Sequence, residues 1–220
     1  MSDIVVHSVP GSPYGRAVLM LLEERRAPYR LAPVAPGTAG RAPHLGRHPF
    51  GRVPVIEHEG FTLYETQAIL RYLDRTLPGE ALMPSQARAA ARMDQLMNIC
   101  DWYLMQGVNN VIGFHRIVGP RLFGLVPDEA AIAAAMPKAH ALFNELSRLL
   151  GKASWFVEDR MTLADILLAP HMDFLAATPE WPILTEGTGN LVLWMDGMRT
   201  RPGFQATSWE KVAAMAKADA

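Results

Sequence analysis

Three short segments in the first third of the chain place polar groups where a helix head or a strand end would hold them. Ser12 ends the run Val9-Pro10-Gly11 and is followed by Pro13, a residue suited to the first helical position. A serine there can satisfy backbone N–H groups of the first turn. It can also hold its hydroxyl in the positive field of the helix end, where an anion is stabilised. Ser8 and Tyr14 are the neighbouring hydroxyls; Ser8 lies one turn early and Tyr14 falls inside the first turn. Val53-Pro54 is the second segment. An X-Pro bond can be cis, which presents the N–H and C=O of the preceding residue, while a proline opening a strand is the plainer account. Glu65-Thr66 is the third, an acid and a hydroxyl at the head of a further helix, where both stabilise its first turn. Arg41 and His48 lie in the irregular stretch between these segments, with Arg52 beside Val53. His7, His115, His140 and His171 lack metal-ligand spacing with any cysteine or acid, so no metal is expected.

The elements that must carry these residues fall into two regimes. Ile4 to His7 is a short β-rich run, and Ala17, Val18, Leu21 and Leu22 follow at helical spacing. Tyr29 to Val34 can be a second strand. Val53 to Glu57 and Phe61 to Leu63 flank Glu59-Gly60, a hairpin turn signal, and Glu65 to Arg75 returns to helix. A β-α-β crossover implies parallel pairing and the hairpin adds an antiparallel strand. Beyond Leu77-Pro78-Gly79 only helices are expected. Ala90, Met93, Met97, Cys100, Leu104, Val108 and Val111 step by three and four, the stripe of one long helix. Ile132 to Leu149 repeats the pattern, with Gly151 as its C-cap. Thr162-Leu163-Ala164-Asp165 reads as a capping box, with Met161 and Ile166 as its hydrophobic staple and no chemistry. The domains are therefore expected at 1–78 and 85–220, joined by a linker at 79–84.

Composition excludes several classes. Lys+Arg 21 against Asp+Glu 22 leaves a formal charge of -1, and no basic run tracks phosphates, so nucleic acid is not an expected partner. No apolar stretch reaches membrane-spanning length, and the N-terminus lacks the pattern of a signal peptide. A single cysteine, Cys100, leaves no disulfide framework and no CxxC pair. Cytoplasmic residence is the expectation.

SPYGRAVLMLLEE (12–24), HPFGRVPVIE (48–57), LYETQAILRYLD (63–74) and RMTLADILLAP (160–170) resemble corresponding segments of cytosolic glutathione transferases. Together they span nearly the whole chain in the family's order. Serine before the first helix is most like the theta- and phi-like members, many bacterial ones included. A histidine that the phi pattern expects near position 39 is replaced by Ala39. The resemblance implies an α/β thioredoxin-like N-terminal domain (βαβ-α-ββα), an all-α C-terminal helical domain, and usually a homodimer.

It also implies roles. Ser12 would be the catalytic serine, donating to the thiol of glutathione so that the thiolate attacks a hydrophobic electrophile. Val53 before Pro54 would pair its backbone with the cysteinyl part. Glu65 and Thr66 would hold the γ-glutamyl end, with Thr66 in place of the more usual serine. Arg52 would meet the glycyl carboxylate or the γ-glutamyl end, and Arg41 and His48 would also face the glycyl end. The second-substrate pocket would draw on Pro10 with Trp102, Tyr103, Gln106, Asn109, Phe114 and His115. Glutathione-dependent isomerisation, dehalogenation or peroxide reduction on the same scaffold are the enzymatic alternatives. A non-catalytic binding protein of the same fold is another. Serine at position 12 disfavours a cysteine-dependent thiol–disulfide oxidoreductase.

Overall fold

The computed structural model describes residues 4–218. The chain divides into two compact units, one formed by the chain up to Leu82 and from Thr200 onward, the other by Met83–Arg199. The first unit opens with β1 (Ile4–Ser8), α1 (Pro13–Glu24) and β2 (Tyr29–Pro33), then β3 (Val55–His58), β4 (Phe61–Tyr64) and α2 (Thr66–Thr76). Its sheet runs β2-β1-β3-β4. β1 pairs parallel with β2 and antiparallel with β3, and β3 pairs antiparallel with β4, as the crossover and the hairpin require. β1 is buried at all five positions, the pattern of a strand covered on both faces. Glu59 (φ 52°) and Gly60 (φ 78°) make the hairpin turn with both residues left-handed, the type I′ geometry that matches strand twist. The helix expected between the two halves shrinks to one 3₁₀ turn, His44–Gly46, between Pro43 and Pro49. Arg25, at the end of α1, forms a buried ion pair with Asp74 of α2, and Asp74 also accepts from the Leu82 N–H at 2.8 Å. That ties the helix headed by Glu65-Thr66 to the one headed by Ser12.

The second unit is helical throughout: α3 (Ala87–Ile99), a π-helical run Cys100–Val118, α4 (Gly119–Phe123), α5 (Glu129–Leu150), α6 (Leu163–Ala176), α7 (Trp181–Leu184) and α8 (Gly189–Arg199). Within the π-helical run the buried positions are Cys100, Leu104, Val108, Asn109, Ile112 and Gly113, in rows at steps of four to five. That is the slower repeat of a helix bonded i to i+5, and the Gly119 N–H donates to Phe114 accordingly. The stripe read at steps of three and four therefore drifts off the buried face, and Val111 is only half-buried. Gly113 is required where the run meets α6, since a Cβ there would lie 2.3 Å from Phe174. α6 is buried from Leu163 through Met172, and its capping box forms as expected. Asp165 accepts from the Thr162 N–H (2.9 Å) and hydroxyl (3.0 Å), and also from the Trp194 indole (3.0 Å).

The segment from Thr200 on, grouped by the sequence reading with the helical domain, belongs to the first unit. It comprises α9 (Pro202–Ala206) and α10 (Trp209–Ala218). The Gly203 N–H donates to Glu24 at 3.0 Å, Arg201 forms an ion pair with the same carboxylate, and the Tyr29 hydroxyl, which donates to Glu23 at 2.7 Å, lies 3.8 Å from the Met215 sulfur.

Candidate active site

Val9-Pro10-Gly11-Ser12 has the residue signature of a type II turn, proline second and glycine third. Gly11 supplies the left-handed φ of 88°, and the Ser12 N–H closes the turn on the Val9 carbonyl at 3.0 Å. Pro10, expected in a pocket wall, occupies the turn's second position and is half-buried. The turn delivers Ser12 to the N-cap of α1, where its Oγ accepts the Gly15 N–H at 3.2 Å. An oxygen that accepts there keeps its O–H as a donor. Capping and donation are thus compatible. No acid stands in the first turn of α1, so no side chain of that turn neutralises the partial positive charge beside Ser12. Ser8 is 1 % exposed and lies beneath the helix, where a Cβ at Gly15 would come within 1.9 Å of its Oγ. It cannot serve a ligand. Tyr14 lies in the first turn of α1, half-buried.

Val53-Pro54 is cis, as is Ala42-Pro43. Val53 stands before Val55, where the pairing with β4 begins, so it takes no part in that ladder. Glu65 is exposed and holds φ 70°, ψ 111°, a conformation that costs a side-chain-bearing residue about 1–3 kcal/mol. It is followed by the buried Thr66 at the head of α2. His48, buried and stacked 4.6 Å from the Tyr64 ring, has its basicity lowered mainly by burial; Glu65 raises it while His44 and Arg52 lower it. Glu65, Arg52 and His48 therefore share one locality. Arg41 and Arg52 are both exposed.

The second-substrate candidates separate. Trp102 and Tyr103, 69 % and 64 % exposed, line a cavity of about 550 Å³ with Ile99, Gly107, Leu142, Lys138 and Glu145. Gln106 accepts from Asn110 at 3.0 Å, and Phe114 sits edge-on to His115, whose Nδ1 accepts the Asp128 N–H at 3.3 Å. Asn109, read as a pocket amide, is 2 % exposed and donates instead to the His171 carbonyl at 3.2 Å. The cause is the π repeat, which turns it onto the buried face. Burial pushes the Cys100 thiol well up, so it is no nucleophile. Among the described residues no group of three or more His, Cys, Asp or Glu could hold a metal ion. No described helix is long and apolar enough to cross a membrane.

Two features escaped the sequence reading. Gly15 sits mid-turn in a helix, a costly place for glycine that signals a close neighbour, here Ser8. Trp209 lies against Gly11 across 198 positions of sequence, a contact with no local signal.

A four-stranded mixed sheet with a serine-capped α1, followed by a wholly helical unit, defines a thioredoxin-like protein with an appended all-α domain. Family models carry this further: the Glutathione S-transferase, N-terminal domain, matches residues 6–81, and the Glutathione S-transferase, C-terminal domain, matches residues 90–202. The chain belongs to the glutathione S-transferase family. It is 26% identical over 199 residues to the probable glutathione S-transferase GSTF2 of Oryza sativa subsp. japonica, covering 90% of this chain and 89% of that protein. It is 28% identical over 206 residues to glutathione S-transferase hmp2 of Hypomyces subiculosus, covering 91% and 93%. Among solved structures, glutathione transferase F2 from Populus trichocarpa superposes with a TM-score of 0.82 over 98% of this chain and 99% of that one, at 23% identity. Plant enzymes of the phi type recur among the similar proteins.

Proposed function

We propose that Ser12 activates the thiol of glutathione by donating its hydroxyl hydrogen to the sulfur, and that the thiolate attacks a hydrophobic electrophile. The observation that carries this is the capping geometry, an oxygen accepting from Gly15 at an acid-free helix head. A free thiol with a pKa of roughly 8.5 is only about three per cent ionised at pH 7. Lowering that value by roughly two units takes about 2.7 kcal/mol of preference for the anion, within reach of a hydroxyl donor and a helix end together. The thiol proton leaves to solvent. A carbon–sulfur bond forms as a leaving group departs with its electron pair, or as a conjugated carbonyl takes up the pair.

Glu65 and Thr66 hold the γ-glutamyl end, the carboxylate against the ammonium and the helix head against the α-carboxylate. The backbone of Val53, beside Pro54, pairs with the cysteinyl part, and Arg52 with Arg41 faces the carboxylates. A solved structure of the same fold, glutathione S-transferase-I, is bound with lactoylglutathione, which favours a glutathione-derived ligand here. Trp102 and Tyr103 supply apolar surface for the electrophile. The active form is a homodimer and the protein works in the cytoplasm.

Ser12→Ala tests the proposal. With glutathione saturating, the bound thiol's pKa should rise toward the free value, and turnover at pH 7 should fall roughly ten- to a hundredfold. Loss of the cap should also cost about 1 kcal/mol of stability. Stability loss with an unmoved thiolate titration confines Ser12 to capping.

A further inference from the structure

We propose that Trp209 is a positioning residue for Ser12, acting through the Gly11 peptide, so that the last helix of the chain sets how strongly the thiol is activated. The inference rests on the reading of Ser12 given above. A Cβ built on Gly11 would lie 2.6 Å from Cε2, from Cε3 and from Cη2 of Trp209. These are alternate atoms of the indole's six-membered ring, so equal distances put that point over the ring centre. The Gly11 Cα therefore faces the aromatic ring with no room for a side chain between them, and only glycine allows so close an approach at φ 88°. The indole is thus a floor under the turn that ends on Ser12.

The same segment holds α1 on the other side of Ser12. The Arg16 guanidinium lies 4.0 Å above the Phe204 ring, and its Nη2 donates to the Phe204 carbonyl at 3.3 Å. Farther along α1, Glu24 is held by Arg201 and by the Gly203 N–H. A Cβ on Gly203 would come within 2.8 Å of the Met20 carbonyl, so this packing too is backbone-close. The residue before Ser12 and the helix after it are fixed by one piece of chain. A hydrogen bond to sulfur demands such fixing, because a slip of about 1 Å carries a donor out of bonding range. Binding of the γ-glutamyl end at Glu65 and Thr66 makes no such demand on this turn.

The test is thiolate absorbance against pH for wild type, Trp209→Ala, Trp209→Phe and Ser12→Ala, each saturated with glutathione. Turnover is measured beside it with an aryl halide. Trp209→Ala should raise the bound thiol's pKa by about half to one unit and lower kcat at pH 7 about three- to tenfold. Its KM for glutathione should stay within about twofold, since the binding contacts lie elsewhere. Trp209→Phe keeps a ring under Gly11 and should restore most of the activity. A Trp209→Ala titration superimposable on wild type, while Ser12→Ala shifts, overturns this proposal alone. If Ser12→Ala also fails to shift, the reading of Ser12 falls with it. Should Trp209→Ala not fold, Trp209→Leu keeps apolar bulk without the flat face and carries the same two outcomes.

Discussion

Replacing Gly15 by alanine adds one methyl group at a defined place. Its carbon would lie 1.9 Å from the Ser8 oxygen and 3.0 Å from the Ser8 Cβ. The first contact is impossible as it stands and the second is tight, so β1 and α1 must part or Ser8 must leave its rotamer. Overpacking of this kind costs about 1–3 kcal/mol. Against it stands the helix propensity gained on replacing glycine, about 1 kcal/mol. With about 2 kcal/mol for the clash, Gly15→Ala should destabilise by about 1 kcal/mol. In a Ser8→Ala background the nearest atom is gone and the same change should become neutral or stabilising. Urea denaturation of the four proteins, compared at equal m, gives the coupling directly. A Gly15→Ala variant more stable than wild type by the full propensity gain would refute the close packing of the strand end under α1. The perturbation also moves the N–H that Ser12 caps, so the thiolate titration of Gly15→Ala should shift toward that of Ser12→Ala.

Glu65→Ala should weaken glutathione binding by about 1.5–3 kcal/mol, the scale of one charged hydrogen bond, and unchanged affinity by calorimetry removes Glu65 from the site. His171 is wholly buried, its Nδ1–H donating to the Leu167 carbonyl at 2.9 Å, and burial lowers its pKa to about 4. Because the folded value is depressed, the unfolded chain takes the proton first. The stabilisation is intact above about pH 6.5 and lost as pH falls toward 4, about 3 kcal/mol in all. His171→Leu should flatten that part of the stability–pH profile, and an unchanged slope contradicts the assignment. Light scattering at micromolar protein should give twice the chain mass of 24.3 kDa. A value near the single chain refutes the homodimer.

Much of the first unit was legible because its signals are local. The β-rich run of β1, the Glu59-Gly60 turn and the apolar steps of α1 and α2 each declare themselves within a dozen residues. The capping box at Thr162 and Asp165 was legible for the same reason. Its extra partner, Trp194, was not, lying 29 positions away. Ser12 was found by residue type and its proline, whereas its actual hydrogen bond needed coordinates. The π run defeated the sequence reading most clearly. Apolar steps of three and four fit an α-helix well, yet the wider turn brings Asn109, Ile112 and Gly113 inward and leaves Val111 half-buried. Asn109 was misplaced by that slip alone. The return of residues after Thr200 to the first unit depends on Arg201–Glu24, Arg16–Phe204 and Gly11–Trp209 pairs, which no window of sequence contains.

That return has a consequence for biosynthesis. The first unit is discontinuous in the chain, while the second, Met83–Arg199, is continuous. Synthesis at about 5–20 residues per second separates Leu82 from Thr200 by on the order of ten seconds. Through that interval α1 lacks the contacts of Phe204 with Arg16 and of Arg201 with Glu24, and the turn at Gly11 has no indole beneath it. The helical unit, although made second, is the first with all of its own residues in hand. The nascent first unit must wait, with the flank of α1 uncovered, for the segment from Thr200 on to arrive.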